Sequence, residues 1–280
     1  MIKVLHSGFF TTIQDRGRFG YAHYGVPVSG AMDLYAHELA NAILDNKNNE
    51  ATVEITFGGA KFEFLEDCTI CVTGADYEAK INGITLVLNK MLSAKKGDVL
   101  TFGKRKFGVR TYLGIKGGIE VKEVLQSKSF YKGITEQQVL NKGEVLTTNK
   151  QKNSISNTNT KISVDVNRFI TPEIECLPGP EFGSLSKNQK KQLQDNIFTI
   201  SGNNSRMGYF LEETIENSLP SMLSSGVLPG TIQLTPSGKL IILMRDCQVT
   251  GGYPRILQLT SASVSKLAQK TTNDTISFVL

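Results

Sequence analysis

The sequence predicts a mainly β protein with a few helices. Short apolar or β-branched runs recur along its 280 residues, and turns rich in Gly, Asn or Asp separate them. Stretches with helical periodicity are rare in comparison. Many short strands with few helices are typical of β-barrels and β-sandwiches.

The strand predictions rest on apolar runs and on the turn residues between them. The opening residues, 1–6, predict a first strand, and Asn82-Gly83 predicts a two-residue hairpin turn between two short apolar stretches. Further strands are predicted at residues 51–57, 69–73, 84–88, 99–102, 109–115, 162–166, 197–200, 231–234, 240–244 and 256–260.

Helices are predicted at only a few places. Shorter ones are expected at residues 187–194 and, after a Ser261 or Ser263 cap, through Ala268. The longest is expected after residue Ser29, whose hydroxyl would cap its first turn. Its apolar face would comprise Met32, Ala36, Leu39, Ala40 and Ile43.

The domain organisation is predicted from one polar stretch. Residues 150–161 contain almost no core-forming side chains, which makes them the best linker candidate. We therefore expect an N-terminal β module at 1–150 and a C-terminal β module at 151–280. Exchange of segments between the two modules is compatible with this division.

Composition argues against several classes of protein. The net charge of +5 is mild and its lysines are scattered, so no nucleic-acid partner is expected. No apolar run approaches the ~20 residues of a membrane helix, and no signal peptide opens the chain, so we expect a cytoplasmic protein without membrane contact. The chain has three histidines, and no two of them are four residues apart, so no zinc site is predicted. Cys68 and Cys71 would point to opposite faces of a strand, which argues against a redox pair.

Two polar clusters interrupt the β pattern. Residues 244–254 follow an apolar run and bring Arg245, Asp246 and Gln248 next to a glycine pair. Residues 11–33 thread polar side chains along a path that several glycines and one proline would fix. Polar groups delivered by a rigid strand are typical of a functional site. The alternatives are a self-satisfied polar strand end for the first cluster and a charge-paired surface loop for the second.

These side chains suit an anionic or amide ligand. Guanidinium groups and positioned donors bind carboxylate, amide or phosphate, and no nucleophile stands beside an obvious base. P-loop, dinucleotide-binding and nucleophile-elbow motifs are absent from the sequence. Gly117-Gly118 could offer N–H groups to an anion or simply close a hairpin. The polar set comprises Asp15, Asp33, Asp76, Asp246, Arg16, Arg18, Arg206, Arg245, Gln14, Gln233, Gln248, Ser29, Ser205 and Thr250.

Six motifs in sequence order resemble one known family, the biotin-dependent carboxyltransferase-like proteins. That family includes the C subunit of bacterial 5-oxoprolinase, formerly described as the second subunit of allophanate hydrolase, and the carboxyltransferase domain of urea carboxylase. The motifs span nearly the whole chain, so the resemblance is to a complete protein. They are TIQDRGR at 12–18, VPVSGAMD at 26–33, TGAD at 73–76, SRMG at 205–208, GTIQ at 230–233 and QVTGGYP at 248–254.

The resemblance implies a fold and an activity. The fold would be a pair of cyclophilin-like β-barrel modules with the site where they meet. The activity would be ATP-dependent opening of 5-oxo-L-proline to L-glutamate by a hetero-oligomer. Its other members would be a homologous B-like protein and a lactam-utilisation A-like protein. Mg-ATP would bind at a site shared with the homologous partner, with no protein-bound metal and no covalent biotin on this chain.

The matching motifs also imply roles for individual residues. Alternation along a strand would put residues 244, 246 and 248 on one face, with Asp246 orienting an arginine such as Arg206 or accepting a proton. Gln248 would hydrogen-bond the substrate. The catalytic residues would be Asp15, Arg18, Asp246 and Gln248. The substrate-binding residues from these motifs would be Gln14, Ser29, Asp33, Asp76, Ser205, Arg206, Gln233, Thr250, Gly251 and Tyr253. Gly117 and Gly118, which lie outside the motifs, are added as substrate-binding residues because of their backbone N–H groups.

Two alternative functions stay open at this point. One is a carboxyltransferase component that acts on urea or a related amide with a biotin carrier. The other is a non-enzymatic regulatory partner of a homologous kinase-inhibitor protein. The chain also departs from the family pattern, since residues 126–130 read QSKSF in place of a GSRST-like run, and Phe210 stands where an arginine is common.

Overall fold

The chain is described by a computed structural model over residues 1–149, 162, 164–220 and 222–280. Strands account for 39% and helices for 14% of these described residues, so the prediction of a mainly β chain with a few helices is confirmed. The predicted linker, 150–161, lies outside the described residues. Across the part of the chain that the structure covers, no helix is long and apolar enough to cross a membrane.

The chain divides into two compact units. The N unit comprises Met1–Arg18 and Asp33–Val166, and the C unit comprises Phe19–Met32 and Asn167–Leu280. The segment Phe19–Met32, which we call the strap, thus belongs to the C unit although the N unit flanks it in the sequence.

Most elements of the N unit are strands. Among its described residues one helix, α1, spans Leu34–Ile43. The 3-10 turn Ala22–Tyr24 lies in the strap and belongs to the C unit. The strands are β1 Ile2–Ser7, β2 Phe10–Gln14, β3 Thr52–Thr56, β4 Ala60–Phe64, β5 Cys68–Asp76, β6 Lys80–Ile81, β7 Ile84–Thr85, β8 Met91–Ala94, β9 Val99–Thr101, β10 Phe107–Ile115, β11 Ile119–Glu120 and β12 Val145–Thr148.

The C unit combines further strands with short helices. Its helices are α2 Asn167–Ile170, α3 Lys187–Asp195 and α4 Ser261–Leu267, with a 3-10 turn at Phe182–Ser184. Its strands are β13 Glu173–Pro178, β14 Phe198–Asn204, β15 Gly208–Thr214, β16 Ser225–Gly226, β17 Thr231–Leu234, β18 Lys239–Leu243, β19 Thr250–Gly251, β20 Arg255–Leu259 and β21 Thr275–Val279.

The N unit is built from two sheets. One has the order β11-β12-β1-β4-β9-β6-β7 and the other the order β2-β3-β10-β5-β8. In β4, Ala60, Phe62 and Phe64 are buried while the residues between them are not, as expected for a strand with one face on the core. The predicted Asn82-Gly83 hairpin turn is confirmed, because it joins β6 to β7 with both residues at positive φ.

The C unit contains a closed barrel with the order β13-β20-β17-β18-β15-β14-β21. A parallel pairing of β13 with β21 closes it. Aliphatic side chains such as Ile232, Leu240 and Ile242 fill its core, and Met32 of the strap packs with them. Each fully buried side chain of this kind contributes roughly 1.5–3 kcal/mol to folding. The strap is thereby anchored in the apolar core of the C unit.

The predicted helices exist, but two of their caps differ from expectation. The Oδ1 of Asp33 accepts the N–H of Ala36 at 3.1 Å and caps α1, whereas Ser29, the predicted cap, lies in the strap at a left-handed φ of 55°. Thr260 caps α4 from an extended conformation, because Ser261 and Ser263 are already helical.

One predicted strand is absent. Residues 162–166 were expected to be extended, yet those of them that the structure describes, 162 and 164–166, form no strand. A short β-branched run predicts a strand only where a neighbouring strand accepts its backbone hydrogen bonds.

Candidate functional site

The backbone turns immediately after β18, inside the polar cluster 244–254. The N–H of Cys247 donates to the carbonyl of Met244 at 3.1 Å, where an extended strand was expected. The prediction that residues 244, 246 and 248 share one strand face is therefore wrong. Asp246 is buried, whereas Gln248 is exposed.

Asp246 holds the guanidinium of Arg206 with both carboxylate oxygens. Nε of Arg206 donates to Oδ2 at 2.7 Å, and Nη2 donates to Oδ1 at 3.0 Å. The two side chains are only 9% and 12% exposed, so this bidentate pair is shielded from water. The geometric part of the prediction, that Asp246 orients such an arginine, is confirmed. The catalytic role of Asp246 stays a prediction.

The strap is hydrogen-bonded to the two segments that carry Arg206 and Asp246. Nη2 of Arg206 donates to the carbonyl of Gly30 at 2.7 Å, and the N–H of Ser29 donates to the carbonyl of Arg245 at 2.9 Å. The Ser29 hydroxyl is fully buried and has no hydrogen-bond partner among the described residues. Such a group has its hydrogen-bonding capacity left for a ligand or a water molecule.

Charge in this cluster favours an anion. Arg206, Arg245 and Asp246 are all buried, and together these three side chains carry one net positive charge. Guanidinium groups bind carboxylate and phosphate in planar, bidentate geometry. We call Ser29, Gly30, Arg206, Arg245 and Asp246 the arginine cluster.

Gln233 lies against the glycine pair that follows Gln248. A Cβ on Gly251 would come within 2.5 Å of Nε2 of Gln233, so any larger residue there would have to displace the Gln233 amide. The same Nε2 points to the carbonyl of Tyr253 at 3.4 Å. Gln233 thus packs under the turn, which is a structural role beside its predicted substrate-binding role.

The remaining predicted residues of the C unit lie at the surface. Gln248 makes no hydrogen bond with the described residues, and Thr250 and Tyr253 are also exposed. Ser205 is exposed in the β14–β15 hairpin, where its hydroxyl accepts the N–H of Met207 at 3.1 Å. Exposed amide and hydroxyl groups of this kind can reach a ligand without rearrangement.

Sequence reasoning missed a segment that supports this glycine turn. β16 pairs with β19, and the N–H of Met222 donates to the carbonyl of Gly252 at 3.3 Å. The N–H of Val227 donates to the carbonyl of Val249 at 3.1 Å. Residues 222–227 lack the apolar alternation that marks a strand, so no local signal could have identified them.

In the N unit, Asp15 organises a loop. Its carboxylate accepts hydrogen bonds from the Ser127 hydroxyl at 2.7 Å, the Ser129 hydroxyl at 2.5 Å and the Lys128 N–H at 2.6 Å. The N–H of Gly17 donates to it as well, at 2.8 Å. A carboxylate with four donors is well suited to holding backbone in place. Its predicted catalytic role is untested by this geometry.

Two neighbours of Asp15 were also predicted as site residues. Arg18 is buried, and its Nη2 donates to the carbonyl of Ser129 at 2.5 Å. Gln14 is buried too, and its amide nitrogen donates to Thr12 Oγ1 and to the carbonyl of Phe130. Oε1 of Gln14 has no partner in the described parts of the chain, which leaves one buried acceptor available.

A buried polar network lies beside α1 and was not predicted. The Tyr112 hydroxyl donates to Oε2 of Glu54 at 2.7 Å and accepts the N–H of Asp33 at the same distance. Nδ1 of His37 forms a hydrogen bond with Oγ1 of Thr52 at 2.9 Å. Burial lowers the pKa of His37 to about 4 and raises the pKa of Tyr112 well above 10. Both side chains are therefore neutral at pH 7.

The other predicted residues of the N unit make local contacts. Asp33 caps α1, and Asp76 accepts the N–H of Glu78 at 2.8 Å and lies 3.7 Å from Nζ of Lys106. The N–H of Gly117 donates to Asn46 Oδ1, and that of Gly118 donates to Ile115. Because both amides are used within the chain, the structure favours the hairpin turn over the anion site at this glycine pair.

The cysteines are buried or partly buried. All four are free, and burial raises the pKa of Cys68, Cys71, Cys176 and Cys247 to about 12. Within the described ranges no group of three or more His, Cys, Asp or Glu side chains could hold a metal ion.

Comparison with known proteins identifies the family. The family described as the carboxyltransferase domain, subdomain A and B, matches residues 24–280. The chain belongs to this carboxyltransferase family. The matched range contains the whole arginine cluster, whereas Asp15 and Arg18 precede it.

Relatives of this carboxyltransferase-family chain include two 5-oxoprolinase subunits and a urea amidolyase. It is 35% identical to the C subunit of 5-oxoprolinase from Escherichia coli (strain K12), over 100% of this chain and 91% of the relative. It is 34% identical to the C subunit of 5-oxoprolinase from Haemophilus influenzae, over 99% and 90%. The K. lactis urea amidolyase structure has a TM-score of 0.86 at 28% identity and covers 99% of this chain and 18% of that one. TTHA0988, at 24% identity and a TM-score of 0.87, shares the fold over 100% of this chain and 55% of its own.

Proposed function

We propose that this chain is one component of an ATP-dependent 5-oxoprolinase complex that opens 5-oxo-L-proline to L-glutamate. The observation that carries the proposal is the match to the C subunits of two bacterial 5-oxoprolinases over nearly the full length of both chains. The arginine cluster supports it, because the substrate is a small carboxylate.

The reaction must overcome the stability of the lactam. Transfer of the γ-phosphoryl group of ATP to the lactam oxygen makes the ring carbon electrophilic and releases ADP. Water then adds to that carbon and the ring C–N bond breaks, which leaves an acyl phosphate. A second water hydrolyses the acyl phosphate to glutamate and phosphate. The chain's contribution would be to bind and orient the lactam during these steps.

The arginine cluster would bind the substrate carboxylate. Its net positive charge and shielding from water strengthen attraction to an anion. The Ser29 hydroxyl, buried and without a described partner, would donate to a carboxylate oxygen. Asp246 would act as a positioning residue, since it fixes the guanidinium plane of Arg206. The exposed amide of Gln248 would contact the lactam oxygen.

The ATP-binding site would be shared with a partner protein. We assign no nucleotide-binding residue to this chain, because its sequence contains no P-loop or dinucleotide-binding motif. The proposal therefore puts Mg-ATP at a site completed by the homologous B-like protein. The lactam-utilisation A-like protein would complete the hydrolysis.

The test is a reconstitution with a matched pair of lactams. We expect the chain, combined with its A-like and B-like proteins, to form ADP when 5-oxo-L-proline is added. Pyrrolidin-2-one, the same ring without the carboxylate, should give no ADP above background, because the arginine cluster has nothing to bind. Equal turnover of the two lactams would contradict the role given to this cluster.

Carboxyl transfer to urea is the second candidate. The likeness to the K. lactis urea amidolyase, at 28% identity over 99% of this chain, favours it. Because the chain carries no covalent biotin in this scheme, a separate carrier would be needed. Carboxylation of urea by the chain with a carboxylated biotin carrier, and no response to 5-oxo-L-proline, would favour this candidate.

A further inference from the structure

A cavity of about 380 Å³ opens in the N unit, and none of its lining residues belongs to the arginine cluster. Its size lies within the roughly 300–1,000 Å³ of known binding pockets. Two stretches of chain, 121–125 and 134–137, form its walls together with Phe130. Val121, Val124, Leu125 and Ile134 make these walls largely apolar, and Phe130 joins them to the core of the unit.

An unfavourable turn presents Leu125 to this cavity. Val124 and Ser127 pair across a two-residue turn in which Leu125 and Gln126 have φ values of 52° and 58°. Such a turn favours Asn-Gly, because left-handed backbone costs an ordinary L-residue free energy. The same unit uses Asn82-Gly83 for its β6–β7 hairpin, with both residues also at positive φ. Strain that is kept in a fold often marks a site of function.

The Asp15 loop holds this turn in place. The residues directly after it, Ser127, Lys128 and Ser129, all donate to the Asp15 carboxylate. Nζ of Lys128 also binds Oε2 of Glu50 at 2.9 Å. These contacts compensate the cost of the turn and keep Leu125, which is 36% exposed, at the mouth of the cavity.

The mouth of the cavity is acidic. Nζ of Lys122 binds Oε1 of Glu136 at 2.9 Å and so joins the two walls. Glu123 adds a second carboxylate, which leaves one net negative charge on a chain whose total charge is +5. A cationic group is the complementary occupant.

We propose that this cavity receives an apolar side chain, flanked by a basic residue, from the B-like partner protein. The partner's identity rests on the proposed function, whereas the chemistry of the contact rests on the apolar walls and the acidic mouth. Leu125 would be a central contact of this interface, and Glu123 would steer the basic residue towards it.

The test measures, by calorimetry, the affinity of the wild-type chain and of its variants for the purified B-like protein. The double variant Leu125→Asn/Gln126→Gly should raise the midpoint of thermal unfolding, because it relieves the turn, yet weaken binding by about tenfold or more. Glu123→Lys should also weaken binding. Ile84→Asn, which changes a 74% exposed apolar residue elsewhere in the unit, should leave affinity unchanged.

Further outcomes separate this proposal from the proposed function. Unchanged affinity in the double variant, or no binding by the wild-type chain, overturns the docking site. If the double variant does not fold, Leu125→Ser replaces it in the binding measurement, with the same expected loss of affinity. A wild-type complex that forms but shows no 5-oxo-L-proline-dependent ADP release overturns the function and leaves the docking site standing.

Discussion

Arg206 and Asp246 form a bidentate ion pair in the C unit, with hydrogen bonds of 2.7 and 3.0 Å, and the same guanidinium binds the carbonyl of Gly30. One buried pair thus joins the β14–β15 hairpin, the turn after β18 and the strap. The pair fixes the strap and orients a guanidinium for an anionic ligand at the same time.

Removal of Asp246 should destabilise the C unit strongly. Asp246→Ala leaves a buried guanidinium without its carboxylate, which typically costs about 3–5 kcal/mol of unfolding free energy. Urea denaturation measures this loss. The matched control is Glu212→Ala, which removes a more exposed ion pair of the same unit with an N–O distance of 3.8 Å. Equal effects of the two changes would contradict the role of the buried pair.

Ser129 should matter for stability through Asp15. Ser129→Ala removes a 2.5 Å hydrogen bond to the buried carboxylate, and bonds to charged groups are worth about 1.5–3 kcal/mol. Thermal unfolding, compared with Ser93→Ala at an exposed position in β8, measures the difference. A neutral result at Ser129 would show that its hydrogen bond to Asp15 does not stabilise the fold.

His37 should make stability depend on pH. Burial, partly offset by Asp15 and Glu54, lowers the pKa of His37 from its usual 6.5 to about 4. Between these values the unfolded chain binds a proton that the folded chain does not, so stability falls as pH falls from 6.5 to about 4. At 1.36 kcal/mol per pKa unit the loss is about 3 kcal/mol.

The variant His37→Gln tests this dependence, because it removes the titrating group. Urea unfolding of both proteins between pH 4 and pH 7 should show a shallower pH dependence in the variant. Parallel curves for the two proteins would exclude His37 as the source.

Gln248 should affect activity without affecting stability. Its side chain is exposed and makes no hydrogen bond with the described residues, so Gln248→Ala should leave the unfolding midpoint unchanged. Turnover of the assembled complex should fall by about tenfold or more, the scale of 1.4 kcal/mol of transition-state binding. Full turnover in the variant, or its unfolding, would show that Gln248 is not a substrate contact.

The sequence predicted the β content and the Asn82-Gly83 turn, because local residue preferences decide both. It failed where a non-local contact decides the outcome. The strap packs Met32 into the C unit core. Helix α1 is capped not by Ser29 but by Asp33, whose N–H donates to the distant Tyr112 hydroxyl. A single sequence shows which residues favour a cap or a core, but not which tertiary contacts select among them.

For the candidate site, the sequence identified the polar residues but not their geometry. Asp246 was correctly expected to orient Arg206, although the strand alternation used to place Gln248 beside it was wrong. The hydroxyl donors to Asp15, Ser127 and Ser129, follow it by more than a hundred residues, so no local pattern could reveal them. In the sequence, Ser127 and Ser129 were noted only because they belong to the run 126–130, which differs from the family pattern.

The most direct test of the proposed function is whether glutamate formation requires this chain. Glutamate and ADP should be measured after 5-oxo-L-proline and Mg-ATP are added to the A-like and B-like proteins, with and without this chain. We expect equal amounts of glutamate and ADP when the chain is present, and neither product when it is absent or alone. Undiminished glutamate formation without the chain, or robust formation by the chain alone, would contradict the proposed function.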